Sequence, residues 1–165
     1  MSKALVITGV IGVAAIGTMA AIKLSGKADA ANDLKIAFGA LNFKKASFAN
    51  GVTFDVILKA TNSSTYELKF TQPFVTVFIQ NSSKGFDAIA QSTDANGMVT
   101  LPPRKTSELK FNLSISPMQA LKLPGLVMSI VKKFAKLPVD PKKLLVEYGL
   151  TSSGINIKQK QDVII

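Results

Sequence analysis

Twenty basic side chains, ten carboxylates and a scatter of hydroxyls are nearly all that this 165-residue chain offers for chemistry, because Cys, His and Trp are absent. Without Cys there is no disulfide, no thiolate nucleophile and no zinc knuckle; without His there is no imidazole base and no usual transition-metal ligand. The acids are spread along the chain, and no spacing marks a pair for general acid–base work. Asp87 and Asp94 flank a turn but match no calcium loop, so they read as solvated turn residues. Ser with Lys is the one nucleophile–base pairing the composition allows, yet no Ser sits in a nucleophile elbow. The sequence therefore reads as non-enzymatic and needing no cofactor or metal, with an unrecognised hydrolase as the outsider.

Binding is better supplied. The formal charge is +10, which favours an anionic neighbour, while a mean hydropathy of +0.29 argues against a disordered basic tail. The charge is uneven: six lysines (Lys122, Lys132, Lys133, Lys136, Lys142 and Lys143) face only Asp140 between Lys122 and Lys143. On a helical wheel Leu126, Val127, Ile130, Val131, Phe134 and Leu137 fill one arc, and Ser129, Lys132, Lys133 and Lys136 the opposite one. Such a helix either lies on an anionic membrane or covers the domain core with its lysines solvated; in both cases the Lys row is placed to meet anionic headgroups. Nucleic acid is the weaker reading, because Arg104 is the only Arg and the Phe residues fall mainly on strand positions. Asn62, Asn81 and Asn112 each open an Asn-x-Ser match, a pattern common by chance.

The elements that must position these residues begin with an apolar run. Ala4–Ile22 is nineteen residues without a charge, about 28 Å as a helix, close to the bilayer hydrocarbon thickness. Residues 1–24 are read as an N-terminal transmembrane anchor, its apolar surface formed by Ala4, Val6, Ile7, Val10, Ile11, Val13, Ile16, Met19 and Ile22. A cleaved signal peptide and a buried soluble helix are the alternatives. The Gly9, Gly12 and Gly17 spacing does not match a dinucleotide-binding loop. Lysines stand on both sides of the run, so the positive-inside rule sets no orientation. Residues 25–33 read as a polar linker.

From Leu34 the period changes to two. Val52, Phe54, Val56, Leu58 and Ala60 alternate with Thr53, Asp55, Ile57, Lys59 and Thr61, one face apolar and the other mostly polar. Asn50-Gly51 predicts a type I′ hairpin joining Leu41–Ala49 to Val52–Thr61. Tyr66–Phe70 and Phe74–Gln80 read as strand interrupted at Pro73, and Phe86–Ser92 with Met98–Leu101 as a hairpin around Asp94–Gly97. Thr106–Ser116 alternates cleanly. Ser116-Pro117 opens a helix, Leu126–Leu137 makes a second helical stretch, and Leu144–Thr151 with Ile155–Lys160 closes the chain as a hairpin. Six or seven short antiparallel strands with one helical insertion predict a mainly β domain, an antiparallel β-sandwich over residues 34–165.

Phe43–Thr61 followed by Asn62, then Leu101-Pro102-Pro103-Arg104-Lys105-Thr106, an alternating strand, a short helix and a closing Tyr148-Gly149-Leu150 strand resemble the late-embryogenesis-abundant type-2, or water-stress and hypersensitive-response (WHy), domain family. That family ends a strand in Asn-Pro-Asn, where this chain has Asn62-Ser63-Ser64. The resemblance implies a fibronectin-III-like sandwich, often behind an N-terminal membrane helix, with a protective or binding role and no catalytic residues. The expectation is a structural or binding protein tethered at a bilayer, its partners the lipid bilayer and a protein or neighbouring copies. A minor structural protein of a membrane-containing virion is one version, and a stress-protective module the rival.

Overall fold

The computed structural model describes residues 34–93, 97–152 and 155–165. The expected anchor (1–24) and linker (25–33) lie outside the described residues, as do parts of the turns at 94–97 and 152–154. Among the described residues no helix is long and apolar enough to cross a membrane.

The alternating segments form strands because each presents one apolar face to a shared core. In chain order they are β1 (Leu34–Ser47), β2 (Gly51–Asn62), β3 (Leu68–Gln80), β4 (Phe86–Thr93), β5 (Met98–Leu101), β6 (Lys105–Ile115), β7 (Lys143–Ser152) and β8 (Ile155–Ile164). Two helices, α1 (Pro117–Lys122) and α2 (Pro124–Phe134), fall between β6 and β7. One sheet has the order β1-β2-β6; the other has β4-β3-β7-β8, with β5 also paired to β3. All the strand pairings are antiparallel. Phe43, Phe54 and Leu58 from the first sheet share one core with Val77, Val146 and Leu150 from the second, and Leu126 and Ile130 of α2 join it. The domain is the expected mainly antiparallel β-sandwich with helices inserted.

Four details differ from expectation, each for a local reason. Ser47 pairs with Gly51 across a three-residue loop, and only Gly51 has positive φ (+76°), so the β1–β2 turn is not type I′. A Cβ on Gly51 would lie 2.1 Å from the Ile115 carbonyl oxygen, so the backbone approach demands glycine as well. Pro73 does not end its strand: β3 runs through it, with Gln72 at φ 51° and a register shift towards β7 between Thr71 and Phe74. A bulge is one of the few places where a sheet accepts proline. β4 and β5 are not hairpin partners; both pair with β3 and follow one another along it, β4 on Phe74–Gln80 and β5 on Leu68–Thr71. Finally, α2 spans Pro124–Phe134, so Leu137 lies beyond the helix and is exposed, and Ser129 is buried rather than on the polar arc. The Ser129 hydroxyl donates to the Gly125 carbonyl at 2.8 Å, which is how a polar side chain is accommodated there.

The register gives the sandwich two distinct ends. At one, Leu34 opens β1 opposite Asn62, which is opposite Lys105. The Asn62 amide ties this end to the second sheet by donating to the Leu101 carbonyl at 3.0 Å. At the other end lie the β1–β2 turn, Ile115, both helices and the start of β7. Leu34 and the start of α1 thus lie towards opposite ends of β1, and α2 packs against β1.

Candidate functional site

The helix-bearing end starts from a capping box. Ser116 accepts from the Gln119 backbone N–H, Gln119 Oε1 accepts from the Ser116 N–H, and Pro117 occupies the first helical turn. α1 is only six residues long, and its outer face carries Met118 and Leu121, 71% and 64% exposed. α2 inserts Leu126, Val127 and Ile130 into the core. It closes in a Schellman arrangement: Leu137 N–H donates to the Lys132 carbonyl and Lys136 N–H to the Lys133 carbonyl. Lys136 takes the left-handed position usually given to glycine, at φ 56°.

The structure separates the six lysines into two groups. Lys122, Lys142 and Lys143 line a groove of about 330 Å³ between the α1–α2 junction and the start of β7, together with Ile79, Leu123 and Pro124. Lys143 is committed: its ammonium lies 2.8 Å from Asp162 and 6.0 Å from the centroid of the Phe86 ring. Lys122 is exposed and Lys142 half-buried, its stem packed by Gly125, where a Cβ would lie 3.7 Å from Lys142 Cε and Nζ. Lys132, Lys133 and Lys136 do not line this groove. They follow the C-terminal turn of α2, where positive charge meets the negative end of the helix dipole. Burial holds the Lys133 ammonium below the ordinary lysine value.

Apolar exposure is concentrated on the same side, which sequence reasoning missed. Of eight large apolar side chains exposed among the described residues, five sit on or beside the helical segment: Phe48 on the adjoining turn, Met118, Leu121, Met128 and Leu137. The wheel had placed Leu137 in the buried arc and gave no sign of Phe48, because only the packed end of the sandwich shows which apolar residues lack a neighbour. Isolated exposed apolar residues are ordinary; these five share one helical segment and its adjoining turn.

Elsewhere, polar clusters are occupied by structure. Asp55, on the polar side of β2, is 3% exposed. Its carboxylate accepts from Lys44 at 2.8 Å, Lys110 at 2.9 Å and Asn112 at 2.9 Å. Burial pushes the carboxyl up, but the two ammonium groups and the amide outweigh it and hold it below the ordinary value. Asn62 is fully buried: it donates to the Tyr66 and Leu101 carbonyls and accepts from the Ser64 N–H and hydroxyl. Asn81 accepts from the Ser83 and Gly85 N–H groups and donates to Asp87. All three Asn-x-Ser asparagines therefore hydrogen-bond to neighbours in the fold, Asn62 buried, Asn81 half-buried and Asn112 exposed. Two Ser-x-x-Lys spacings, Ser107 to Lys110 and Ser129 to Lys132, form no dyad. Ser107 and Lys110 are three apart on a strand and so face opposite sides, and the Ser129 hydroxyl is bound within its helix. No group of three or more metal-ligating side chains occurs among the described residues.

No family model matches this sequence, and no curated protein does. Among solved structures, a candidate late embryogenesis abundant (LEA) protein superimposes with TM-score 0.49 at 13% identity, over 80% of this chain and 70% of that one. A protein from Archaeoglobus fulgidus gives 0.47 at 13% identity, over 80% and 91%. One from Arabidopsis thaliana gives 0.45 at 11%, over 79% of each chain. At such levels these likenesses carry neither activity nor partner to this chain.

Proposed function

We propose that this chain is a non-enzymatic, membrane-anchored binding protein whose sandwich presents its helix-bearing end to an anionic lipid surface. The observation that carries the reading is the joint exposure of Met118, Leu121 and Phe48 beside lysines on that end. Apolar side chains among lysines suit a bilayer interface, where the stem or ring enters the headgroup region and the ammonium stays with the phosphates. Nucleic acid would supply phosphates but nothing to cover the Met and Leu side chains. The anchor rests on the apolar run Ala4–Ile22, and the non-enzymatic reading on the engaged state of the Asp55, Ser129 and Asn62 side chains. The fibronectin-III-like and late-embryogenesis type-2 resemblance fits a binding module of this kind. A structural protein beneath the lipid layer of a virion is one setting for it.

Flotation of the full chain with phosphatidylcholine vesicles tests the anchor: it should float with them, and a form lacking Met1–Lys27 should not. The deleted form should then float with phosphatidylserine vesicles, and changing Lys132, Lys133 and Lys136 together to Gln should weaken that binding. A full chain that stays at the bottom of the gradient ends the anchor reading; a deleted form indifferent to phosphatidylserine ends the lipid-surface reading.

A further inference from the structure

The groove between the α1–α2 junction and the start of β7 holds three lysines and no carboxylate among its lining residues. Its volume of about 330 Å³ is at the lower end of the range for small-molecule sites. Leu123, Pro124 and Ile79 supply apolar wall beside the ammonium groups. Lys143 is already neutralised by Asp162. Among the described residues neither Lys122 nor Lys142 has an ion-pair partner. The groove therefore presents two uncompensated positive charges next to apolar surface.

Lys142 is held in place before any ligand arrives. Its backbone exchanges hydrogen bonds with Ile165 in both directions, each at 3.0 Å. Its half-buried stem crosses Gly125, where an added Cβ would lie 3.7 Å from both Cε and Nζ. A lysine braced at backbone and stem has less rotamer freedom left to lose when it meets an anion. Lys122 approaches from the α1 side, as the last residue of that helix. Two free ammonium groups suit a dianion. A phosphate monoester carries roughly −1.5 to −2 at pH 7, whereas a phosphodiester or a carboxylate carries a single charge.

We infer that the groove binds a phosphate monoester carried on an apolar body, the headgroup chemistry of phosphatidic acid. Lys122 and Lys142 meet the phosphate oxygens, and Leu123 and Ile79 meet the carbon that follows. The inference gives the anionic surface proposed above a preferred headgroup and rests on that reading for the source of the monoester; it makes no use of the anchor.

The test is an amide NMR titration of the full chain in neutral-detergent micelles. The probes are phosphatidic acid and phosphatidylglycerol, added to the micelles at matched total charge, and glycerol phosphate in solution. Phosphatidic acid should shift the Gln80, Gly125 and Lys142 amides saturably, and bind at least about fivefold more tightly than phosphatidylglycerol, the worth of one further charge. Glycerol phosphate should shift the same amides more weakly. Lys122→Gln and Lys142→Gln should each weaken phosphatidic acid binding about tenfold or more, as loss of a charge-assisted hydrogen bond does. Lys35→Gln makes the same charge change on exposed β1, at the far end of the sandwich, and should leave binding as it was. Equal affinity for phosphatidylglycerol, or an equal loss in Lys35→Gln, overturns the site, because net charge then accounts for the binding. Glycerol phosphate that saturates the groove as tightly as phosphatidic acid overturns the lipid source. Groove amides that stay still while the Met118 and Leu121 amides respond to anionic micelles overturn the groove and leave the lipid-surface reading standing. If those two amides stay still as well, both readings fall.

Discussion

Replacing Asn62 by Ala should be among the most damaging single changes in the domain. The side chain is fully buried and makes four hydrogen bonds, two as donor and two as acceptor. Losing it does not strand all four partners. The single hydroxyl proton of Ser64, given to Asn62 in the native chain, can turn to the Tyr66 carbonyl 2.8 Å away once the amide is gone, so that acceptor keeps a partner. The Ser64 N–H and the Leu101 carbonyl lose theirs, and an unpaired buried polar group costs about 1–3 kcal/mol. Two such groups and a small cavity put the loss at about 3–4 kcal/mol, or roughly 10 °C in Tm for a domain of this size. Thermal and urea unfolding of the full chain in detergent, followed by far-ultraviolet circular dichroism, gives the number. Asn62→Asp is the companion variant. It keeps the acceptor for Ser64 but turns an acceptor towards the Tyr66 and Leu101 carbonyls, so it should be no milder than Ala at neutral pH and should recover on acidification, when the carboxyl can donate. A loss under about 1 kcal/mol for Asn62→Ala would refute the idea that this amide ties the two sheets together.

Three further changes read other parts of the fold. Asp55 is held in its ionised form by Lys44, Lys110 and Asn112, so its contribution is fully present above the unfolded-state value near 3.8. It is lost as pH falls through the lower folded value. Urea midpoints from pH 7 down to pH 2.5 should fall more steeply for the native chain than for Asp55→Asn, by about 1 kcal/mol because both lysine heads are exposed. Lys136→Gly should raise Tm by a few degrees, about 0.5–1 kcal/mol, by relieving the left-handed position that closes α2. Gly51→Ala should cost about 3 kcal/mol or more, since its Cβ meets the Ile115 carbonyl and φ is positive; a shift within 1 °C of the native Tm would contradict the turn geometry.

The sequence carried the strands well where one face was uniformly apolar, as in Val52–Ala60 and Leu109–Ile115, because period two leaves a single assignment. The Ser116-Pro117 start was legible for the same kind of reason, a local signal with a local cause. What escaped was pairing. β4 and β5 flank a turn-rich stretch exactly as a hairpin would, and only the partner they share in β3 shows that they are consecutive lengths of one edge. Asn62 looked like a departure from a family motif; its role depends on Leu101, thirty-nine residues away. The lysines were visible as a cluster in the chain, but their division between a groove and a helix terminus depends on how 135–142 returns along α2, where the Asp140 carbonyl lies 3.4 Å from the Ser129 hydroxyl. The wheel misplaced Leu137 because α2 stops at Phe134, and Ser129 because a wheel cannot show the returning 135–142 segment that covers it.

The β1–β2 ladder has a mechanical consequence. Twelve register pairs run from Leu34↔Asn62 to Ser47↔Gly51, parallel to the line joining chain entry to the helices. A tensile load applied between those two ends acts along the strands, so the ladder is sheared and its hydrogen bonds share the force. A load applied across the strands would instead peel them apart one bond at a time. The sandwich is therefore strongest along the axis that runs from Leu34 to the β1–β2 turn.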